Sequence, residues 1–213
     1  DILKNLFWFI FYFLMKVLIL SPYPQEIIKI LKKSQDNYLI YNEKLKISFL
    51  KKNKIEFIIS YGYKYLITKD IIDIFKGKII NLHISFLPFN RGCYPNLWSH
   101  LEGSPSGVTI HLINEQIDGG DILLQKKVEI DPEKHSFRSS YLILRKEIEI
   151  LLKSNWKLLK FGEIPVKISS NKGSYKNKKD GDEILQLFDE GWDTKITKAI
   201  KIIKNYELKK FLN

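Results

Sequence analysis

Three side chains in the middle of the chain have the types and spacing for chemistry. Asn81 and His83 close an apolar run that begins at Ile79-Ile80 and reads as a buried strand. Residues two apart on a strand share a face, so an amide donor and an acid/base group stand side by side at the strand's carboxyl end. In open α/β sheets, ligands bind at such ends. A second strand, Val108 to Ile113, runs into the Gly-rich turn Asp118-Gly119-Gly120 and offers Asp118 as a carboxylate partner for His83. Alone, His83 reads as a structural histidine, Asn81 as a turn former and Asp118 as a turn residue. Their joint placement favours function. Asp121 has the same chemistry as Asp118 and is its rival. Ser85 has no Gly-x-Ser-x-Gly elbow around it and reads as a loop hydrogen-bonder. His100, His111 and His135 lack ligand-like spacing, so no metal is expected.

The motifs around these residues carry a resemblance. Asn81-Leu82-His83-Ile84-Ser85-Phe86-Leu87-Pro88 is followed by Gly107-Val108-Thr109-Ile110-His111 and Ile117-Asp118-Gly119-Gly120-Asp121-Ile122. Together they resemble the formyltransferases that use N10-formyltetrahydrofolate. The details closest to the sugar N-formyltransferase branch are Asn90-Arg91-Gly92, Pro95-Asn96-Leu97-Trp98, Gly173-Ser174-Tyr175 and Gly191-Trp192-Asp193-Thr194. The resemblance implies catalytic roles for Asn81, His83 and Asp118, and it favours Asp118 over Asp121. It implies folate contacts from Gly62, Tyr63, Leu87, Asn114 and Ile117. Arg91, Asn96 and Trp98 follow the central strand and should face the acceptor, with the Arg91 fork matched to phosphate.

Formyl transfer to an amine passes through a tetrahedral oxyanion, which needs donors aimed at its oxygen. Asn81 and a protonated His83 are the expected donors, and Asp118 favours the imidazolium. The acceptor implied is a nucleotide-linked 4-amino-4,6-dideoxy sugar, of the dTDP-4-amino-4,6-dideoxyglucose type, for lipopolysaccharide O-antigen or another surface polysaccharide. A methionyl-tRNA formyltransferase and a non-catalytic folate- or nucleotide-binding module are the alternatives. The tRNA branch carries a further C-terminal domain, and only about fifty residues follow the long helix, counted against the size of an independent domain. No nucleic-acid partner is expected, and the resemblance admits a homodimer.

Composition sets wider bounds. The 213 residues suffice for one domain with a tail, and 45% apolar content is ordinary for a globular chain. A single cysteine, Cys93, excludes an internal disulfide framework and suits a reducing compartment, the cytoplasm. The net charge of +11 would suggest nucleic acid, but the lysines are scattered among Ile and Asn along most of the chain. They read as a solvated face that can steer a diphosphate.

The elements that must position these residues follow in order. Residues 1–14 hold an apolar run too short for a membrane span and without the marks of a signal peptide, so they read as an extension outside the fold. Residues 15–165 read as a Rossmann-like, doubly wound α/β domain with a mostly parallel sheet, and 166–213 as a tail ending in a helix. Strands are expected at 17–20, 38–41, 55–60, 78–83, 107–113 and 122–130. A helix is expected to start at Pro24, with Ile27, Ile28, Ile30 and Leu31 as its apolar face, and others at 45–52, 69–75, 96–101 and 136–161, the last capped by Ser136 and stopped by Gly162. The polar stretch 171–182 reads as a loop. After Trp192 comes a helix with Ile196, Ala199, Ile200 and Ile203 inward. No dinucleotide fingerprint is present.

Overall fold

The computed structural model describes residues 14–169 and 173–212, with side chains to Tyr206. Expectations for residues 1–13 and for Asn171 and Lys172 fall outside them.

Six strands form one sheet: β1 (Lys16–Leu20), β2 (Asn37–Ile40), β3 (Phe57–Ser60), β4 (Ile79–His83), β6 (Gly107–Leu112) and β7 (Ile122–Lys127). Their order is β2-β1-β3-β4-β6-β7. The first four are parallel, and β6 and β7 continue the sheet antiparallel. The α/β fold with a mostly parallel sheet is therefore as expected. Alternation along β1 shows why helices cover both faces. Val17 and Ile19 pack with α1 (Gln25–Lys33) and α5 (Phe137–Phe161). Leu18 and Leu20 pack on the other face with α2 (Ile47–Lys52) and α3 (Lys69–Ile74). Both faces of a parallel sheet need such cover, and the apolar burial of these aliphatic rows drives it.

Helix α5 spans the first face because Leu144, Ile148, Leu152, Trp156 and Leu159 recur at helical spacing and are all buried. Ser136 and Ser139 close a reciprocal cap at its start, and Gly162 ends it in the left-handed region. Near its end, Trp156 Nε1 donates to Asp36 at 2.7 Å, and the buried Lys160 ammonium lies 2.6 Å from the same carboxylate.

The tail departs from expectation. The stretch read as a loop contains a short strand, β8 (Tyr175–Lys176), and a helix, α6 (Lys178–Leu185) capped by Asn177. Strand β8 pairs in parallel with β5 (Arg91–Gly92). Polar composition hid both, because they are stabilised by a tertiary partner: Gly181 packs against the Tyr94 ring. Helix α7 (Ile196–Leu212) then buries Ile196 and Ala199 against Leu97, Phe137 and Phe188, with Ile200 and Ile203 beside them as expected. Leu97 lies on α4 (Pro95–Leu101), which follows β5.

Candidate active site

On the core face β4 buries Ile80 and Leu82, while Asn81 and His83 face the other side. Strand β6 repeats this, with Val108 and Ile110 in the core and Thr109 and His111 opposite. Thr109 and His111 are buried as well. The cross-strand register sets Asn81 opposite His111 and His83 opposite Thr109. The polar side chains of two adjacent strands thus meet at one place.

Asp118 closes the arrangement from a left-handed backbone conformation, φ 48°, which Asp tolerates. Its Oδ1 accepts the Asn81 amide at 3.0 Å and lies 3.6 Å from His83 Nδ1 and 3.5 Å from His111 Nε2. Its Oδ2 accepts the Gly92 N–H at 2.9 Å. The second Asn81 amide hydrogen faces His111 Nε2 at 3.2 Å, while His111 Nδ1 faces the Leu112 carbonyl at 2.8 Å. Nδ1 therefore donates to that carbonyl, leaving Nε2 free to accept. Both Asn81 hydrogens are committed to Asp118 and His111. An oxyanion donor from Asn81 requires the amide to exchange one of these bonds.

Burial alone would raise the Asp118 pKa, but the neighbouring His83 and then His111, with the Gly92 N–H, hold it well below the usual carboxylate range. Burial pushes His83 below its ordinary 6.5, only partly offset by Asp118 and the Asn90 carbonyl. The resting site is thus an ionised carboxylate beside a neutral imidazole. His83 Nε2 faces the Asn90 carbonyl at 3.3 Å and Nδ1 faces Asp118, so two acceptors flank the ring. A neutral ring satisfies only one of them. A proton taken up in a reaction satisfies both.

A cavity of about 460 Å³ opens over this cluster, within the range of small-ligand pockets. Asn81, His83, Asp118, Gly62, Tyr63, Asn114 and Ile117 all line it. Tyr63 is also anchored, its hydroxyl donating to the Glu43 carbonyl and accepting from Leu45 N.

Leu87 is not brought to the cavity. It is buried, with its N–H on Thr109 Oγ1 and its carbonyl accepting from Gln125. Asn96 is buried in α4, donating to the Phe137 carbonyl at 2.8 Å and accepting from Ser140 at 2.9 Å, so its amide joins two helices. Trp98 is buried beneath the Lys176 ammonium, 4.5 Å from the ring centre. Arg91 is half-buried and lies against Gly119 of the Asp118 turn, and its Nε is buried without a hydrogen-bond partner among the described residues. Asp121, the rival carboxylate, accepts from Ser169 N.

Sequence reasoning missed His111 as a member of the cluster. It also missed a tyrosine group in the cavity's lining. There Tyr23, Tyr61 and Tyr141 line the wall around the Arg145 guanidinium, which is 4.4 Å from the Tyr23 ring centre and donates to Tyr61 Oη at 3.2 Å. For His111 the signal was available: it sits seven residues before Asp118, across a turn, on the strand next to Asn81. The tyrosines are scattered over 118 positions and gave none.

The fold and site define an α/β protein with an amide, an imidazole and a carboxylate converging at the carboxyl end of a parallel strand. The chain belongs to the formyl transferase family, whose model matches residues 25–154. It is 37% identical over 117 residues to the bifunctional polymyxin resistance protein ArnA of Wigglesworthia glossinidia brevipalpis, covering 51% of this chain and 18% of that protein. It is 41% identical over 93 residues to the methionyl-tRNA formyltransferase of Finegoldia magna, covering 43% and 30%. The chain thus spans less than a third of either curated relative. Among solved structures, it resembles the formyltransferase PseJ from Anoxybacillus kamchatkensis in complex with UDP-4,6-dideoxy-4-formamido-L-AltNAc and tetrahydrofolate. The TM-score there is 0.82 at 42% identity, covering 87% of this chain and 97% of that one. Among the described residues no group of His, Cys, Asp or Glu could hold a metal ion, and no helix is long and apolar enough to cross a membrane.

Proposed function

We propose that this chain transfers a formyl group from N10-formyltetrahydrofolate to the amine of a nucleotide-linked 4-amino-4,6-dideoxy sugar. The observation that carries this reading is the meeting of Asn81, His83 and Asp118 in one cavity, in a chain 42% identical to PseJ across nearly all of PseJ. The cavity fits a folate. Tyr63, Leu66, Ile67 and Ile117 give it an apolar wall for a flat ring, and the polar groups converge at one end. The folate supplies the formyl group, and the chain's residues handle the charge and the proton. Neutral His83 takes the proton that must leave the attacking amine and returns it to the departing folate nitrogen as the formyl C–N10 bond breaks. Asp118, already ionised, stabilises the imidazolium that results, and the Asn90 carbonyl holds its other N–H. Asn81, exchanging one of its two bonds, is the hydrogen-bond donor for negative charge on the carbonyl oxygen, and the newly charged His83 stabilises that charge electrostatically. Arg91, outside the cavity's lining and with its Nε unpartnered among the described residues, takes the diphosphate.

The test is a screen of nucleotide-linked amino sugars with N10-formyltetrahydrofolate, with formamide formation read by mass spectrometry. Product from a 4-amino-4,6-dideoxy sugar nucleotide is expected. Formylation of charged initiator tRNA, with no sugar accepted, would overturn the reading in favour of a methionyl-tRNA enzyme. Folate binding without any transfer would reduce the chain to a binding module.

A further inference from the structure

Segment Gly173–Lys176 lies outside the residues that match the family model, yet it is bonded into the active site. Ser174 Oγ accepts the Asn90 N–H at 2.8 Å and donates to Asn90 Oδ1 at 3.1 Å. The Ser174 carbonyl accepts the Arg91 N–H at 3.0 Å, and the Lys176 carbonyl accepts the Cys93 N–H at 2.9 Å. Asn90 is fully buried, sits at φ 55°, and sends its remaining amide hydrogen to Ser104 Oγ at 2.7 Å. Two links lead from this loop to the chemistry: the Asn90 carbonyl to His83 Nε2, and the Gly92 N–H to Asp118 Oδ2. The fit is close on both sides. A Cβ on Gly92 would stand 2.2 Å from the Lys176 carbonyl oxygen, and one on Gly173 would stand 2.0 Å from the Pro88 carbonyl oxygen. Tyr175 itself lines the cavity.

We infer that this tail segment is a working part of the active site, with Ser174 as a positioning residue that sets the place of His83 through Asn90. The inference rests on the formyl-transfer reading for its kinetic consequence but not for its structural one. Without Ser174 Oγ, the Asn90 N–H and Oδ1 both lose their partner, only the Ser104 bond still holds the Asn90 side chain, and the Asn90 carbonyl is less firmly fixed against His83. The imidazole then has Asp118 on one side and no fixed acceptor on the other. The remaining groups facing it, Asp118 from the turn and His111 from the neighbouring strand, are unchanged.

Ser174→Ala and Ser174→Thr test this, with Lys179→Ala on the exposed face of α6 as a control. The first readout is nitrogen NMR of the His83 ring, which needs no substrate. In the unaltered protein the proton is expected on Nε2. In Ser174→Ala a mixed tautomer is expected, with wild-type behaviour in Ser174→Thr and Lys179→Ala. The second readout is steady-state kinetics. Ser174→Ala should lower kcat at least about tenfold, with the KM for either substrate within about threefold, the pattern of an interaction made only in the transition state. An unchanged His83 tautomer in a folded Ser174→Ala protein would overturn the inference, whatever the activity. A tautomer shift in a protein with no formyl transfer would leave the positioning role standing and sink the reaction instead. Should Ser174→Ala fail to fold, Gly173→Ala, which pries the segment from Pro88, is read by the same ring signals with the same two outcomes.

Discussion

His83 and Asp118 show at the scale of the residue how burial and charge divide the work. The imidazole is fully desolvated and the carboxylate is not left alone, so the proton sits on neither at rest. His83→Ala and Asp118→Ala should each lower kcat by about a hundredfold or more, the usual scale of acid–base and oxyanion groups, with thermal melts near wild type. Near-complete activity in either variant would refute its catalytic role. The pH dependence has a definite sign. The folded pKa of His83 lies below 6.5, so its neutral, basic form persists below pH 6.5. The rate should hold as pH falls from 7 and drop only through that depressed value. Because the Asp118 charge raises the His83 pKa, Asp118→Asn should move the ring's NMR titration lower still. A midpoint at or above 6.5 in the unaltered protein would contradict a neutral resting imidazole. The three residues were legible because strand periodicity puts Asn81 and His83 on one face and the motif order brings Asp118 to them. The resting protonation state was not legible, because it depends on solvent exclusion by Asn90, Gly92 and the Asp118 turn, which no local pattern encodes.

Among the elements, the six strands and the long helix α5 were readable, since each carries its own apolar period and its own caps. The short α4 was readable as a helix but misread in purpose. Asn96 and Trp98 lie at the right place in sequence to face an acceptor, yet α4 turns them into the interface with α5 and the tail. Asn96→Ala is therefore expected to cost stability and spare catalysis. It removes two buried hydrogen bonds, about 1–3 kcal/mol, although Ser140 Oγ still reaches the Phe137 carbonyl at 3.1 Å. Denaturant melts should show that loss, with KM for the nucleotide sugar unchanged. A KM several-fold higher at unchanged stability would restore Asn96 to the substrate site. His100, on the same helix, has its pKa lowered to about 4 by burial and then by the nearby His135. The unfolded chain takes its proton near 6.5 and the folded chain only near 4. Stability should therefore fall as pH drops across that window, and His100→Gln should flatten the fall.

For the whole molecule the question is what a chain of net charge +11 binds. Charge alone would favour tRNA. A tRNA acceptor needs many phosphate contacts, and six to ten such contacts lose about 10³–10⁵ in affinity between roughly 50 and 200 mM salt. Under the proposed reading, Arg91 beside the Asp118 turn engages one diphosphate and not a run of phosphates. A diphosphate engages few cations, so the KM for a nucleotide amino sugar should change by only about a few-fold over that salt range. Arg91→Ala should raise that KM more than it lowers kcat, because a phosphate far from the reacting amine contributes equally to ground and transition states. It should also flatten what salt dependence there is. Steady-state kinetics of both proteins across a salt series decide the matter. A steep slope on the nucleotide sugar would show phosphate contacts beyond Arg91, and a kcat effect without a KM effect would move Arg91 from the diphosphate to the chemistry.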